Sequence, residues 1–145
     1  MPIVEVATVS GKLTYLDSGV LISAFRGEPS ISIRAAQILD DDTRQFVTSG
    51  FVQLETLPKA LYNKQLEEAE FYEAFFSSVT VWATDLENIL KNGDRIARTY
   101  GLAAMDALHI AAALSVYAEE FITTEKLTKP MHRVTELVVI SIAIE

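Results

Sequence analysis

Four acidic residues lie at or near the ends of apolar segments, where carboxylates are least expected. Asp17 ends a strand-like run, Glu55 lies early in a helix-like segment, and Glu125 follows a short apolar strand. Asp106 lies inside the almost wholly apolar stretch 101–118. A buried carboxylate is unfavourable unless it is paired, hydrogen-bonded or bound to a metal. Four of them, with few cations nearby, predict an acidic metal-binding pocket.

The composition limits which metal such a pocket could hold. The chain has no cysteine and only two histidines, His109 and His132, so disulfides, thiolate sites and structural zinc sites are excluded. Oxygen ligands remain, and these favour magnesium, manganese or calcium. His109, one turn after Asp106, is interpreted as a hydrogen-bonded core histidine and not as a ligand. The acidic run 40–42 is interpreted as a solvated loop.

Each of the four acids also has a simpler structural explanation. Asp17 fits a turn or helix cap at the end of a strand, and Asp106 fits the cap of the helix that follows. Glu55 fits a solvated helix position. Glu125 fits an exposed position near the positive end of a helix dipole. The residues alone leave these alternatives open.

Length and composition predict one compact domain over residues 1–145. The 145 residues are enough for a hydrophobic core, and 50% of them are hydrophobic. The longest apolar run is short for a membrane span, and the N-terminus does not resemble a signal peptide. We therefore expect a cytoplasmic protein with no membrane contact. The formal charge of -8 argues against extensive phosphate binding, although local patches matter more than the sum.

Strand-like and helix-like segments alternate along the chain. The predicted strands cover residues 13–17, 45–49, 79–82, 121–123 and 137–144. Residues 1–12 are interpreted as an extra N-terminal strand or extension, with Val4, Val6 and Thr8 on one face. Such alternation predicts an α/β fold with a mostly parallel central sheet and helices on its faces.

The predicted helices cover residues 18–25, 29–39, 65–77, 85–100 and 103–117, with one more that begins at 49 or 50. Ser18 is the predicted N-cap of the first helix and Gly101 the predicted C-cap of the helix 85–100. The helix that begins at 49 or 50 should bury one stripe, made of Phe51, Leu54, Leu57 and Leu61, and should kink or restart at Pro58. The last helix is apolar nearly all round and should be buried.

The predicted topology brings the four acids together. In a parallel sheet the ligand crevice lies beyond the carboxyl ends of the strands. Asp17 and Glu125 come just after strands, whereas Glu55 and Asp106 fall in the first turns of helices. We therefore expect all four carboxylates at one edge of the sheet.

Four short pieces of the sequence resemble the PIN-domain nucleases in order and spacing. They are YLDSGVLI at 15–22, VQLE at 52–55, MDALHIA at 105–111 and ITTE at 122–125. The likeness spans most of the chain, from Leu13 to Ile144. The size and single-domain layout resemble the VapC-type toxins of bacterial toxin–antitoxin pairs.

The resemblance implies a three-layer α/β/α sandwich and a ribonuclease that depends on magnesium or manganese. Carried over by position, the metal-binding and catalytic residues are Asp17, Glu55, Asp106 and Glu125. The last position is usually Asp, and the extra methylene of Glu125 moves its carboxylate by roughly one carbon–carbon bond. Glu125 is therefore a weaker candidate for direct coordination and could act through a water. Thr123 and Ser18 are predicted to support the acids by hydrogen bonds.

The resemblance also supplies candidate partners. These are an RNA substrate, an antitoxin protein and a second copy of the chain, the last packed through residues 30–39 and 65–77. RNA contacts need cations near the crevice, and the sequence offers Lys59 one turn after Glu55. Further candidates are Arg95 and Arg98 before Asp106, and Lys126, Lys129 and Arg133 after Glu125.

Two other functions compete with that of a metal-dependent endoribonuclease. A receiver domain of the response-regulator type would need paired acids after its first strand, whereas Asp17 is followed by Ser18 and Gly19. A non-catalytic PIN-like module that binds RNA or protein remains the alternative, because Glu replaces Asp at position 125 and the chain is acidic. Metal-dependent RNA cleavage would discriminate between the two.

Overall fold

The computed structural model describes residues 11–143. The predicted N-terminal strand with Val4, Val6 and Thr8 lies outside the described residues. Within residues 11–143, no helix is both long and apolar enough to cross a membrane.

A five-stranded parallel sheet forms the centre of the described chain. Its strands are β1 Lys12–Leu16, β2 Arg44–Ser49, β3 Val81–Ala83, β4 Glu120–Thr123 and β5 Val138–Ser141. They are arranged in the order β3-β2-β1-β4-β5, and every neighbouring pair is parallel. The predicted α/β fold with a parallel sheet is therefore confirmed. The third strand begins two residues later than predicted because Val79 caps the preceding helix, and the fifth is shorter than predicted.

The central strands are buried on both faces. Tyr15, Leu16, Val47, Phe121 and Ile122 are at most 1% exposed. Adjacent residues of a strand point to opposite faces of the sheet, so the burial of neighbours such as Tyr15 and Leu16 shows that helices cover both faces.

Six α-helices cover the sheet within the described residues. They are α1 Ser18–Arg26, α2 Pro29–Leu39, α3 Gly50–Tyr62, α4 Leu66–Ser78, α5 Leu86–Tyr100 and α6 Ala104–Ser115. The chain moves from β1 to β2 to β3 in one direction and then returns to β4 on the other side of β1. Because parallel crossovers are right-handed, α1 to α4 cover one face and α5 and α6 cover the other. The order of the strands reverses between β1 and β4, which is where ligands bind in such sheets.

Of the two predicted helix caps, one was wrong and one is confirmed. Asp17, and not Ser18, is the N-cap of α1: its extended backbone precedes the helix and its side chain accepts from the Ser18 N–H. Capping favours the residue whose carboxylate can reach a free amide of the first turn. By contrast, the predicted C-cap Gly101 is confirmed, with the left-handed φ of 69° that glycine adopts most easily.

Helix α3 is rotated relative to the predicted stripe. Its buried residues are Val52, Thr56 and Ala60, whereas Leu54 and Leu61 are 71% and 47% exposed. Small and β-branched residues at a spacing of four allow α3 to lie close to the sheet, and this outweighs the larger leucines. The helix also continues through Pro58 to Tyr62 without a restart.

Candidate active site

Asp17 lies where the order of the strands reverses, directly after β1. Its Oδ1 accepts a hydrogen bond from the Ser18 N–H at 2.9 Å, and its Oδ2 accepts from the Thr123 hydroxyl at 3.0 Å. Thr123 ends β4 and is fully buried. It also accepts from the Glu125 N–H at 3.1 Å. The predicted supporting residues thus both contact Asp17, Ser18 through its backbone and Thr123 through its side chain.

A glycine permits the close approach of α1 to the loop after β4. A Cβ atom built on Gly19 would lie 2.4 Å from Oγ1 of Thr124. Such a contact would force the Thr124 side chain to rotate or move away from the first turn of α1. Gly19 therefore leaves room for the Thr124 hydroxyl beside Asp17 and Ser18.

Glu55 reaches the same edge of the sheet from α3. Its Oε1 makes a very short hydrogen bond with Nε2 of His109, a residue of α6 that is 2% exposed. The other ring nitrogen, Nδ1, lies 2.8 Å from the Tyr15 hydroxyl, which lies 2.6 Å from Oγ of Ser49. A hydrogen-bonded chain therefore runs from the buried Ser49 to the carboxylate of Glu55.

With a neutral His109, every polar group of this hydrogen-bonded chain has a hydrogen-bond partner. The Tyr15 hydroxyl then donates to Nδ1 and accepts from Ser49, while Nε2–H donates to Glu55. Burial raises the pKa of Tyr15, so its hydroxyl keeps the proton that it donates. Tyr15 and Ser49 thereby fix the orientation of the imidazole, which in turn holds Glu55. Both ring nitrogens of His109 are used within the protein.

Asp17, Glu55 and His109 form a compact group. One candidate ligand atom from each residue lies within 4.8 Å of the other two. Burial raises the pKa of Asp17, although the hydrogen bonds from Thr123 and Ser18 oppose that shift. Because the imidazole is committed, the free donors are carboxylate oxygens, which suit magnesium or manganese. Among the described residues, no lysine or arginine forms a salt bridge with either carboxylate.

Asp106 and Glu125 lie around this group. Asp106 is in the first turn of α6, and burial raises its pKa, followed by repulsion from Asp17, Glu125 and Glu55. All four predicted acids therefore interact electrostatically at one end of the sheet. The carbonyl oxygen of Glu125 accepts from Ser141 at 2.7 Å and from His132 at 2.9 Å, which anchors this residue through its backbone.

Sequence reasoning missed the connection between His109 and Glu55. His109 is a buried, hydrogen-bonded histidine as predicted, but it also contacts a candidate metal ligand. Its spacing of three from Asp106 places both on one side of α6 and was the available signal. The roles of Tyr15 and Ser49 in orienting His109 depend on the register of β1 and β2, which no local sequence pattern reveals.

The fold and the site define a class: an α/β protein with an acidic cluster where the order of parallel strands reverses. Residues 14–127 match the model of the PIN domain, and the chain belongs to the PIN domain family. It is 31% identical over 121 residues to proteins named Ribonuclease VapC19 from two strains of Mycobacterium tuberculosis, CDC 1551 / Oshkosh and ATCC 25618 / H37Rv. These alignments cover 80% of this chain and 91% of each relative. The receiver-domain alternative is thereby excluded.

Two solved structures share the fold at low sequence identity. One is VapBC2 from Rickettsia felis bound to a promoter DNA fragment, with a TM-score of 0.66 and 14% identity over 89% of this chain and 98% of that chain. The other is a toxin–antitoxin complex from Klebsiella pneumoniae, with a TM-score of 0.65 and 19% identity over 90% of this chain and 99% of that chain.

Proposed function

We propose that this chain is a metal-dependent endoribonuclease that acts in the cytoplasm as the toxin of a toxin–antitoxin pair. The observation that carries the proposal is the close approach of the Asp17 and Glu55 carboxylates, with no lysine or arginine of residues 11–143 paired to either. The name of the VapC19 relatives supports ribonuclease activity, and the described complexes support an antitoxin partner. Magnesium or manganese is the cofactor proposed for the site.

Asp17, Glu55 and Asp106 would hold the metal, with Glu125 at the rim. Each oxygen of Asp17 uses one lone pair on a protein donor and keeps another for a cation. Within residues 11–143, the recorded bonds of Glu55 use only Oε1, so Oε2 remains for a ligand. A bound divalent ion would supply Lewis-acid stabilisation of the phosphoryl oxygens.

Asp106 would share the metal with Asp17 and Glu55. Burial and repulsion from three neighbouring acids raise its pKa, and a bound divalent ion would relieve that repulsion. Like Asp17, Asp106 is only partly buried, so water can reach it. Thr123 and Ser18 hold Asp17 in place, and His109 holds Glu55.

The test is cleavage of several RNAs with magnesium or manganese, with a chelator as the metal-free control. Asp17→Asn should lower cleavage by at least about 100-fold, because loss of a ligand should cost more than loss of a supporting residue. Asp94→Asn removes an exposed charge that pairs with Arg98, and it should leave cleavage unchanged. Glu125→Gln should weaken cleavage less than Asp17→Asn.

Two results would overturn the proposal. Undiminished cleavage by a folded Asp17→Asn protein would reject this site. If the native protein cleaves none of the RNAs with either metal, the non-catalytic binding module is favoured.

We also propose a homodimer formed through α2 and α4. Ile33 on α2 and Leu66 on α4 are 58% and 69% exposed, and a second copy packed on these helices would remove their apolar side chains from water. Light scattering at micromolar concentration tests this assembly. A monomer there would reject it without affecting the ribonuclease proposal.

A further inference from the structure

A cleft between α1, α3 and α4 opens beside Glu55. Its volume is about 150 Å³. Arg26 from α1, Lys59 from α3, and Glu68 and Tyr72 from α4 are among the residues that line it. Because Glu55 forms part of the wall, the cleft extends the acidic edge of the sheet along α3.

The charges at the α1 and α4 sides of the cleft balance one another. Glu68 is 6% exposed and accepts from Arg26 at 2.9 Å and from the Tyr72 hydroxyl at 2.5 Å. The buried carboxylate is thereby satisfied, and the charge of Arg26 is committed to it. Burial, followed by the contact with Glu68, raises the pKa of Tyr72, so its hydroxyl remains a donor.

Lys59 is the cation of the cleft that has no such partner. It follows Glu55 by four residues, a spacing at which Glu and Lys ordinarily pair on a helix. That pair does not form, because Glu55 turns its carboxylate towards His109. Among residues 11–143, no salt bridge involves Lys59. Lys59 is therefore an exposed cation about one helical turn along α3 from Glu55, and no salt bridge among the described residues neutralises it.

We propose that the cleft is a subsite for single-stranded RNA in which Lys59 binds the backbone phosphate next to the scissile one. This inference rests on the proposed ribonuclease function. An RNA strand with one phosphate at the acidic cluster must extend its adjacent nucleotide along the protein surface. The cleft begins at Glu55. The charges on its other walls neutralise one another, so Lys59 provides the positive charge that is available to a phosphate. An ammonium group recognises phosphate without regard to base, so Lys59 contributes affinity and not sequence preference.

The experiment uses a short single-stranded RNA that the native protein cleaves once, at graded salt concentrations. Lys59→Gln should raise KM about tenfold, as for loss of a charged hydrogen bond, and change kcat less than about twofold. The salt dependence of log(kcat/KM) should become shallower by about 0.7, the value for one phosphate contact on a single strand. Lys91→Gln removes an exposed lysine from α5. It should change neither KM nor the salt dependence of log(kcat/KM).

A neutral methylphosphonate placed at each neighbouring phosphate in turn identifies the contact. At one position it should weaken native cleavage about tenfold and have no further effect on Lys59→Gln, since the two changes remove the same interaction. Losses that add at every position would overturn the inference, as would an unchanged salt dependence.

The two proposals fail in distinguishable ways. If the native protein cleaves RNA and Lys59→Gln matches it throughout, only the subsite is rejected. If the native protein cleaves no RNA, the ribonuclease proposal is rejected. Fluorescence anisotropy of the same RNA in calcium then decides the subsite: equal binding by native protein and Lys59→Gln rejects it, and tenfold weaker binding by the variant supports a binding role alone.

Discussion

The two ends of the central sheet both carry partly or fully buried acids, and they treat these acids in opposite ways. At the amino end, Glu120 is 3% exposed and accepts from Thr14 at 2.7 Å and from the Arg44 guanidinium at 2.6 Å. Arg44 also reaches Asp41 at 2.5 Å. At the carboxyl end, Asp17 accepts hydrogen bonds from an amide and a hydroxyl, which are neutral donors.

The pKa shifts follow this difference. Hydrogen bonds from Thr43, with the nearby charge of Arg44, lower the pKa of Asp41. Burial and mutual repulsion raise the pKa of Asp106 at the other end. Folding alone favours the first arrangement, because repelling carboxylates in a protein interior oppose stability. An acidic cluster that pairs with no lysine or arginine in the described part of the chain is therefore better explained by a ligand than by a structural role.

The largest loss of stability should come from the amino end of the sheet, where the buried acid is paired with a cation. Arg44→Met leaves Glu120 buried without its cation, and such broken pairs typically cost about 3–5 kcal/mol of the free energy of unfolding. Urea denaturation measures the change. Adding Glu120→Gln to Arg44→Met should recover part of the loss, because it removes the uncompensated charge. A loss below about 1 kcal/mol for Arg44→Met would mean that the pair is not a structural one.

An intermediate effect should come from the chain that holds Glu55. Tyr15→Phe keeps the ring stacked on Phe121 but removes the hydroxyl between Ser49 and His109. We expect a loss of about 1–3 kcal/mol in stability and about tenfold in affinity for manganese, measured by calorimetry.

Tyr72→Phe is the matched control for this prediction. It removes a buried hydroxyl that donates to Glu68, outside the acidic cluster, so it should lower stability without changing affinity for manganese. Equal manganese affinities for Tyr15→Phe and native protein would show that the chain stabilises the core without tuning the site.

These comparisons separate what the sequence could predict from what it could not. Apolar runs and cap residues predicted the parallel sheet and most helix bounds, and strand ends predicted an acidic edge of the sheet, where Asp17 and Glu55 lie together. The buried face of α3 was missed because Leu54 and Leu61 have the larger hydrophobicity, whereas close packing selects Thr56 and Ala60. The pairing of Arg44 with Glu120 was also missed, since it joins residues 76 apart through the sheet.

The smallest effect should be the pH dependence of the stability of the metal-free protein, which arises from the acids at the carboxyl end of the sheet. The folded-state pKa of Asp106 is raised above its ordinary value of 3.8. Its contribution to stability is therefore fully present below that value and is lost as pH rises through the folded pKa. Asp106→Asn cannot ionise and avoids this loss. The stability of the variant relative to the native protein should thus increase from about pH 4 to about pH 7.

Thermal melts in chelator across this pH range measure the difference, with Asp94→Asn as the control. Asp94 pairs with Arg98 on the surface of α5, so its removal should give no such rise with pH. Saturating magnesium should abolish or reverse the advantage of Asp106→Asn, because a charged carboxylate would bind the cation more tightly than a neutral amide. An advantage that stays constant with pH and survives magnesium would mean that Asp106 does not share the charge repulsion of the acidic cluster. The contrast between the two ends of the sheet would then rest on Asp17 and Glu55 alone.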